Sequence, residues 1–165
     1  MSDVFLSPLS LAALHALAGG DLAAAERETG RALPAGLLDR RDLWIMRRDQ
    51  LAEDPAAAPW LVRLVVTEPD GLVVGHAGFH GPPSSDGMVE IGYMIQPAHR
   101  RRGHARAAAL GLIAFARAHG ARTVRASISP DNVPSLALAA SLGFVRVGEQ
   151  WDEVDGRELV FERPA

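Results

Sequence analysis

The chain has no cysteine, no lysine, a single tyrosine and only 5% aromatic residues in its 165 positions. The lack of cysteine excludes disulfides, thiolate metal sites and thiol nucleophiles together, and the cytoplasm is the expected compartment. All 17 basic residues are arginine, which we read as coding bias, and the net charge of -3 gives no general attraction to nucleic acid. Long hydrophobic runs are missing too. The most apolar stretch, Ala107 to Ala116, lies between Arg106 and Arg117 and falls well short of the roughly 20 residues that cross a bilayer. The start, Met1 to Pro8, carries no basic leader, so neither a signal peptide nor a membrane helix is expected.

What is present suits one soluble domain spanning residues 1–165, with 48% hydrophobic and 22% charged residues and enough length to bury a core unaided. Helical spacing from Leu9 to Ala18 stops at Gly19-Gly20, Asp21 can cap a second short helix through Thr29, and a third runs from about Leu37 to Glu53 before Asp54-Pro55. Trp60 to Thr67 and Leu72 to Phe79 read as strands around the turn Glu68-Pro69-Asp70-Gly71. In Met88 to Ile95 the alternation is clear: Val89, Ile91, Tyr93 and Ile95 share one face, Glu90, Gly92 and Met94 the other. An alanine-rich helix follows from about His104 to His119, then a strand Thr123 to Ile128, a helix Pro134 to Ser141, and strands Val145 to Trp151 and Arg157 to Glu162 about Asp155-Gly156, a two-residue hairpin signal.

The informative stretch joins the end of the alternating strand to the alanine-rich helix: Tyr93-Met94-Ile95-Gln96-Pro97-Ala98-His99-Arg100-Arg101-Arg102-Gly103-His104-Ala105, with Arg106 one residue on. Converging backbone N–H groups at a helix start hold a pyrophosphate well, small residues let that backbone approach, and arginines add charge. The segment resembles the phosphate loop of the GNAT acetyltransferase superfamily: Gln or Arg, two residues, Gly, one residue, then Gly or Ala, matched by Arg100, Gly103 and Ala105. About 30 residues later, Asp131-Asn132-Val133-Pro134-Ser135 running to Leu142-Gly143-Phe144 resembles the family's second cofactor segment. Asn132 also reads as a helix cap, and Leu142 to Phe144 as a helix stop with a core aromatic.

The resemblance implies a GNAT-like α/β (α+β) fold, a mixed, mostly antiparallel sheet of six to seven strands flanked by helices. It implies acetyl-coenzyme A as cosubstrate and no metal. Central strands on either side of the first cofactor helix are expected to splay, the pantetheine arm pairing with the backbone of Tyr93, Met94 and Ile95. Arg100, Arg101, Arg102, Gly103, His104, Ala105 and Arg106 would serve the pyrophosphate, with Asn132 and Ser135 beside them. The implied reaction is acetyl transfer to a primary amine by direct attack, the thioester carbonyl polarised by an N–H from Met94 or Ile95.

An alkyl ammonium of pKa about 10.4 must lose a proton before it attacks. Glu90, on the strand leading to the loop, resembles the family's catalytic Glu, one residue nearer the loop than in some relatives. Glu90-Ile91-Gly92-Tyr93 with Asn132 and Ser135 is similar to the ribosomal-protein and related N-terminal acetyltransferase branch, where a carboxylate before the last hairpin acts through water; Asp152 or Glu153 fills that place. Many relatives re-protonate the thiolate with a tyrosine on the second cofactor helix, where this chain has Ala139. Tyr93 is expected to pack on its strand, leaving Ser135 as the donor to sulfur.

His76 and His80 sit at strand spacing without a third metal ligand and are expected at an edge or on the substrate side, while His99 decorates the loop. The acceptor stays open among a protein N-terminus, a small amine and a lysine side chain, with no nucleic acid, no membrane and a homodimer unresolved. A non-catalytic acyl-coenzyme A sensor, suggested by Ala139, is the rival.

Overall fold

A computed structural model describes residues 3–165. Helix α1 (Leu11–Ala18) starts where the Ser10 hydroxyl accepts the Ala13 N–H at 3.1 Å, and α2 (Leu22–Thr29) where the Asp21 carboxylate accepts that of Ala24 at 2.9 Å. The third helical segment is divided: a 3-10 turn, Ala35–Arg40, precedes α3 (Arg41–Glu53). The Trp44 indole N–H donates to the Leu37 carbonyl at 2.6 Å, occupying the acceptor that a continuous α-helix would offer to residue 41.

Among the described residues seven strands follow the order β1-β2-β3-β4-β5-β7-β6. They are β1 (Val4–Pro8), β2 (Arg63–Thr67), β3 (Val73–Phe79), β4 (Met88–Ile95), β5 (Thr123–Ile128), β6 (Val145–Asp152) and β7 (Gly156–Pro164), with α4 (His104–Ala118) and α5 (Val133–Ser141). Strand β1 does not stand out in the sequence, being a short edge that ends in Pro8, and β2 starts at Arg63 because the proline-rich 55–60 segment forms a 3-10 turn. The pairing is antiparallel except between β4 and β5, which α4 joins as a crossover. This is the expected mixed, mostly antiparallel sheet.

The final hairpin departs from the two-residue turn expected at Asp155-Gly156. Asp152 pairs with Gly156, leaving a three-residue loop of 153–155, and Gly156 enters β7 at φ 77°. The Asp152 carboxylate explains the longer loop, accepting the N–H groups of Val154 at 2.7 Å and Asp155 at 2.8 Å.

Each face of the sheet buries its own core. On one, Val65, Phe79, Val89 and Ile91 pack with Leu112 and Ile113 of α4, and Ala139, Leu142 and Phe144 close the layer from α5 and its exit. On the other, Leu14 and Leu17 of α1 and Trp44 of α3 cover Leu64, Val66 and Val73. His76 lies on β3 in the interior of the sheet rather than at an edge, buried edge-on against Trp44 with ring centroids 5.1 Å apart.

Two glycines of β3 mark where backbones crowd. A Cβ at Gly78 would lie 2.6 Å from the Leu61 carbonyl oxygen and 2.6 Å from the Val62 Cα, and one at Gly75 would strike the Met94 carbonyl. Because the obstacle at Gly78 is main chain, Gly78→Ala should destabilise the fold by about 1–3 kcal/mol in urea denaturation. Gly148→Ala, where nothing lies within 4 Å, should stay within about 0.5 kcal/mol. Equal midpoints for the two variants would contradict the crowding.

Candidate functional site

The site starts from a failure of pairing. The parallel ladder between β4 and β5 holds only Met88, Val89 and Glu90 against Thr123, Val124 and Arg125. Beyond Glu90 the strands part, giving the splay that the family resemblance implies. On its other side β4 stays paired with β3 to Ile95 without a register shift. The His80 N–H donates to the Glu90 carbonyl and the Gln96 N–H to that of Val74, so even-numbered β4 residues spend their main-chain groups on β3. Antiparallel alternation then turns those of Ile91, Tyr93 and Ile95 into the gap. Of the three residues expected to offer main-chain groups there, Tyr93 and Ile95 do so, whereas Met94 faces β3, opposite His76.

At the end of the gap sits the arginine loop. Arg100 Nε donates to the Ile95 carbonyl at 2.9 Å and ties the loop to β4, while Arg101, Arg102 and Arg106 are exposed. Arg101 and Gly103 take left-handed conformations, φ 61° and 84°, and Gly103 starts α4 without a side-chain cap. The N-cap residue thus contributes no side chain at the positive end of a 15-residue helix, and the start of a helix is where an anion is received. Burial, with His99 and Arg102 nearby, lowers the His104 pKa.

Two cavities meet at the parted strands. The larger, about 300 Å³, lies between β4, β5 and α5 and is lined by Tyr93, Ser127, Asn132, Ser135 and Ala139 among others. Across it the Tyr93 phenol donates to Ser135 Oγ at 3.3 Å, and the Asn132 side chain caps α5 by accepting the Ser135 N–H, also at 3.3 Å. Tyr93 therefore does more than pack on its strand: its hydroxyl crosses the splay. Burial raises the phenol pKa, with the Ser135 hydrogen bond pulling the other way.

The smaller cavity, about 200 Å³, lies between α3 and the β3–β4 pair, lined by Arg47, His76, His80 and Gly92 among others. Arg40, Ile91, Gly92, Tyr93, Met94, Ser127, Asp155 and Glu158 line both. A polar chain runs from these linings: Ser127 Oγ donates to Glu90 at 2.6 Å, and Gln150 Nε2 lies 3.2 Å from Ser127 Oγ and 2.9 Å from Glu158. His80 Nδ1 is 3.7 Å from Glu90, and its pKa is lowered chiefly by burial against the opposing pull of Glu90.

Glu90 and Asp152 both lie outside the two cavity linings; Glu90 reaches them through Ser127, whereas the Asp152 pKa is lowered by the Asp155 and Val154 N–H groups of its own turn. The structure thus brings Glu90, Tyr93 and Ser135 to the splay and leaves Asp152 at the hairpin. Among the described residues no cluster of three or more potential metal ligands occurs, and no helix is long and apolar enough to cross a membrane. Sequence reading missed Ser127 and Arg47. Ser127 had a signal, the alternation of β5, but which way that strand's polar face looks depends on the splay.

Comparison with known proteins agrees with this geometry. The family model described as "Acetyltransferase (GNAT) domain" matches residues 3–145. The N-acetyltransferase YjdG of Bacillus subtilis, itself uncharacterised, is 34% identical over 83 residues, 50% of this chain and 49% of that protein. The L-amino acid N-acyltransferase MnaT of Escherichia coli is 38% identical over 85 residues, 50% and 49%. The match thus spans about half the length of these curated relatives. Mycobacterium smegmatis RimJ, solved in complex with CoA-disulfide, shares the fold at TM-score 0.65 and 22% identity, over 98% of this chain and 82% of that one.

Tyr93 is the only tyrosine, so phenolate absorbance during an alkaline titration reports it alone. Its midpoint should lie above the usual value of about 10. Ser135→Ala should raise it further, because the lost hydrogen bond is the influence that lowers it. A wild-type midpoint at the ordinary value, in protein shown by circular dichroism to be folded, would mean a solvated phenol.

Proposed function

The chain belongs to the GNAT acetyltransferase family, and from that premise we propose that it is an acetyl-coenzyme A-dependent N-acetyltransferase acting on a primary amine by direct attack. The observation that carries the reading is the parted β4–β5 pair, which leads from the uncapped start of α4 to the two cavities. The cosubstrate supplies the acetyl thioester; in transfer an N–C bond forms, the C–S bond breaks, and one proton passes from the amine while another reaches sulfur. The main-chain row that β5 leaves open past Glu90, with its Ile95 carbonyl held by Arg100, and the start of α4 fit its pantetheine and pyrophosphate. In this proposal Arg100, Arg101, Arg102, Gly103, His104, Ala105 and Arg106 hold the pyrophosphate, Tyr93 and Ile95 pair with the pantetheine amides, and Asn132 and Ser135 border the sulfur.

Glu90 is the proposed base. Its carboxylate is presented to the cavities by Ser127, whose hydroxyl bonds it and lines both, so a proton leaving the amine reaches Glu90 through that hydroxyl or a water. Tyr93 and Ser135 form the proposed acid: the phenol, kept protonated by burial, donates to Ser135, and the Ser135 hydroxyl proton is left for the thiolate. Asp152 acts at a distance, holding the hairpin that carries Asp155 and Glu158.

MnaT's name concerns L-amino acids, so a small amine stands in the proposal beside a protein N-terminus. The same reading puts the enzyme in the cytoplasm and pairs two copies along the edge strand β6, where Val145, Val147 and Trp151 are exposed. Light scattering should give twice the 17.6 kDa chain mass for the wild type and 17.6 kDa for Trp151→Glu; a monomeric wild type removes the dimer.

Calorimetric titration with acetyl-coenzyme A, then free-thiol release against amines, tests the activity itself. Binding with thiol release is expected; no binding would remove the cosubstrate, and binding with no turnover of any amine would favour an acyl-coenzyme A sensor. Glu90→Gln should lower turnover by about 10²–10⁴-fold near neutral pH. The loss should shrink as pH rises toward the amine pKa of about 10.4, where the acceptor deprotonates by itself. A pH-independent loss would move the base away from Glu90.

A further inference from the structure

The smaller cavity contains a charge that, among the described residues, nothing neutralises by contact. Arg47 on α3 is 7% exposed and lines that cavity. Its guanidinium makes two hydrogen bonds, both from Nη1, to Gln50 Oε1 at 2.8 Å and to the His80 carbonyl at 3.3 Å. Both acceptors are uncharged, and among the described residues no carboxylate lies within 4.0 Å of it. Glu90 supports it only at longer range, against a larger opposing effect of burial. A guanidinium removed from water without an adjacent counter-ion is costly unless a ligand supplies the anion.

A second group in the same cavity points the same way. His76 is 6% exposed, lines the cavity, and its Nε2 has no hydrogen-bond partner. Burial, with Arg40 and Arg47 beside it, lowers its pKa to about 4, so the ring is neutral at pH 7. Arg40, bound to Asp42 through Nε and Nη2, adds a cation at the rim. Two carboxylates, Asp155 and Glu158, line this cavity where it meets the larger one. The enclosure thus offers cations from α3 and its approach, and anions at the splay, in about 200 Å³, less than the roughly 300–1,000 Å³ of sites for drug-sized ligands.

We propose that the acceptor is a small amino carboxylate, its carboxylate held by Arg47 with His76 and its amine turned toward the splay, where Glu90 and Ser127 receive the proton. This rests on the acetyl-transfer reading and narrows it. The opposed charges fit a zwitterion with the ammonium at the Asp155 and Glu158 end. A polyamine would bring a cation to Arg47, and a protein N-terminus would bring a neutral amide in place of the carboxylate. Arginine's planar fork suits a carboxylate, which accepts two parallel hydrogen bonds. The balanced transfer gives the N-acetyl amino carboxylate and free coenzyme A thiol.

The test compares acceptors that differ only in the carboxylate, by thiol release: an amino acid, its amide, and the amine left after decarboxylation. For the wild-type enzyme kcat/KM should favour the acid at least about tenfold over either analogue. Arg47→Met should erase that preference, mainly by raising KM for the acid, while calorimetry shows acetyl-coenzyme A affinity unchanged. If Arg47→Met fails to fold, Arg47→Lys, with the charge but not the fork, should retain part of the preference. Equal or better turnover of the amides, of a polyamine or of an N-terminal peptide overturns the amino carboxylate while leaving the enzyme standing. So does acetyl-coenzyme A binding with no turnover of any amino acid. Loss of acetyl-coenzyme A binding by the wild type would instead remove the transferase reading itself.

Discussion

The structure depends on where the parallel ladder between β4 and β5 ends. Three residues on each strand are paired, and beyond Glu90 and Arg125 the strands diverge while each stays fully paired on its outer side. Interior strands with unsatisfied main-chain groups are ordinarily costly, because buried N–H and C=O groups need partners. The divergence persists because both halves of the sheet are anchored separately. Helix α4 packs across β1, β3 and β4, and β5 is fixed by its six-residue ladder to β7 and by the Arg125–Glu162 ion pair at 2.6 Å. The open main-chain row is thus a property of the scaffold, available to a ligand that can extend the ladder.

Charge is distributed around this gap in two different solvent regimes. The arginines of the loop between β4 and α4 stand in water, where their attraction for phosphate is screened over about 10 Å. Arg47 is enclosed, and its interactions are correspondingly stronger and more selective. In the proposed reading one residue type thus serves two purposes, and burial separates them. It also separates the carboxylates: Asp152 is committed to its own hairpin turn, while Glu90 connects through Ser127 to the cavities.

Much of this was legible in the sequence because it is local. Alternation located β4, the glycine and arginine spacing located the loop, and Asn132 announced a cap that it does supply. What escaped reading is non-local. Arg47 lies in a helix rich in arginine, where the ordinary expectation is a solvated face; only the packing of α3 against β3 encloses it. His76 looks like any strand histidine until β3 is found inside the sheet. The three-residue hairpin escaped because Asp152 competes for turn N–H groups that the Asp-Gly pattern alone does not reveal. Strand β1 is a short edge that its neighbours, rather than its composition, make into a strand.

The single tyrosine and the small residue at 139 are best understood together. Ala139 is buried and lines the larger cavity, one helical turn after Ser135 on the same face of α5. The Tyr93 ring enters that cavity from β4 and reaches Ser135, so a large side chain at 139 would compete with it for a volume of about 300 Å³. Overfilling a packed site forces side chains off their rotamers or moves backbone. With the phenol delivered from the strand, the helix must stay small beneath it. The alanine is then the packing counterpart of Tyr93, and its presence does not by itself imply that the chemistry has been lost.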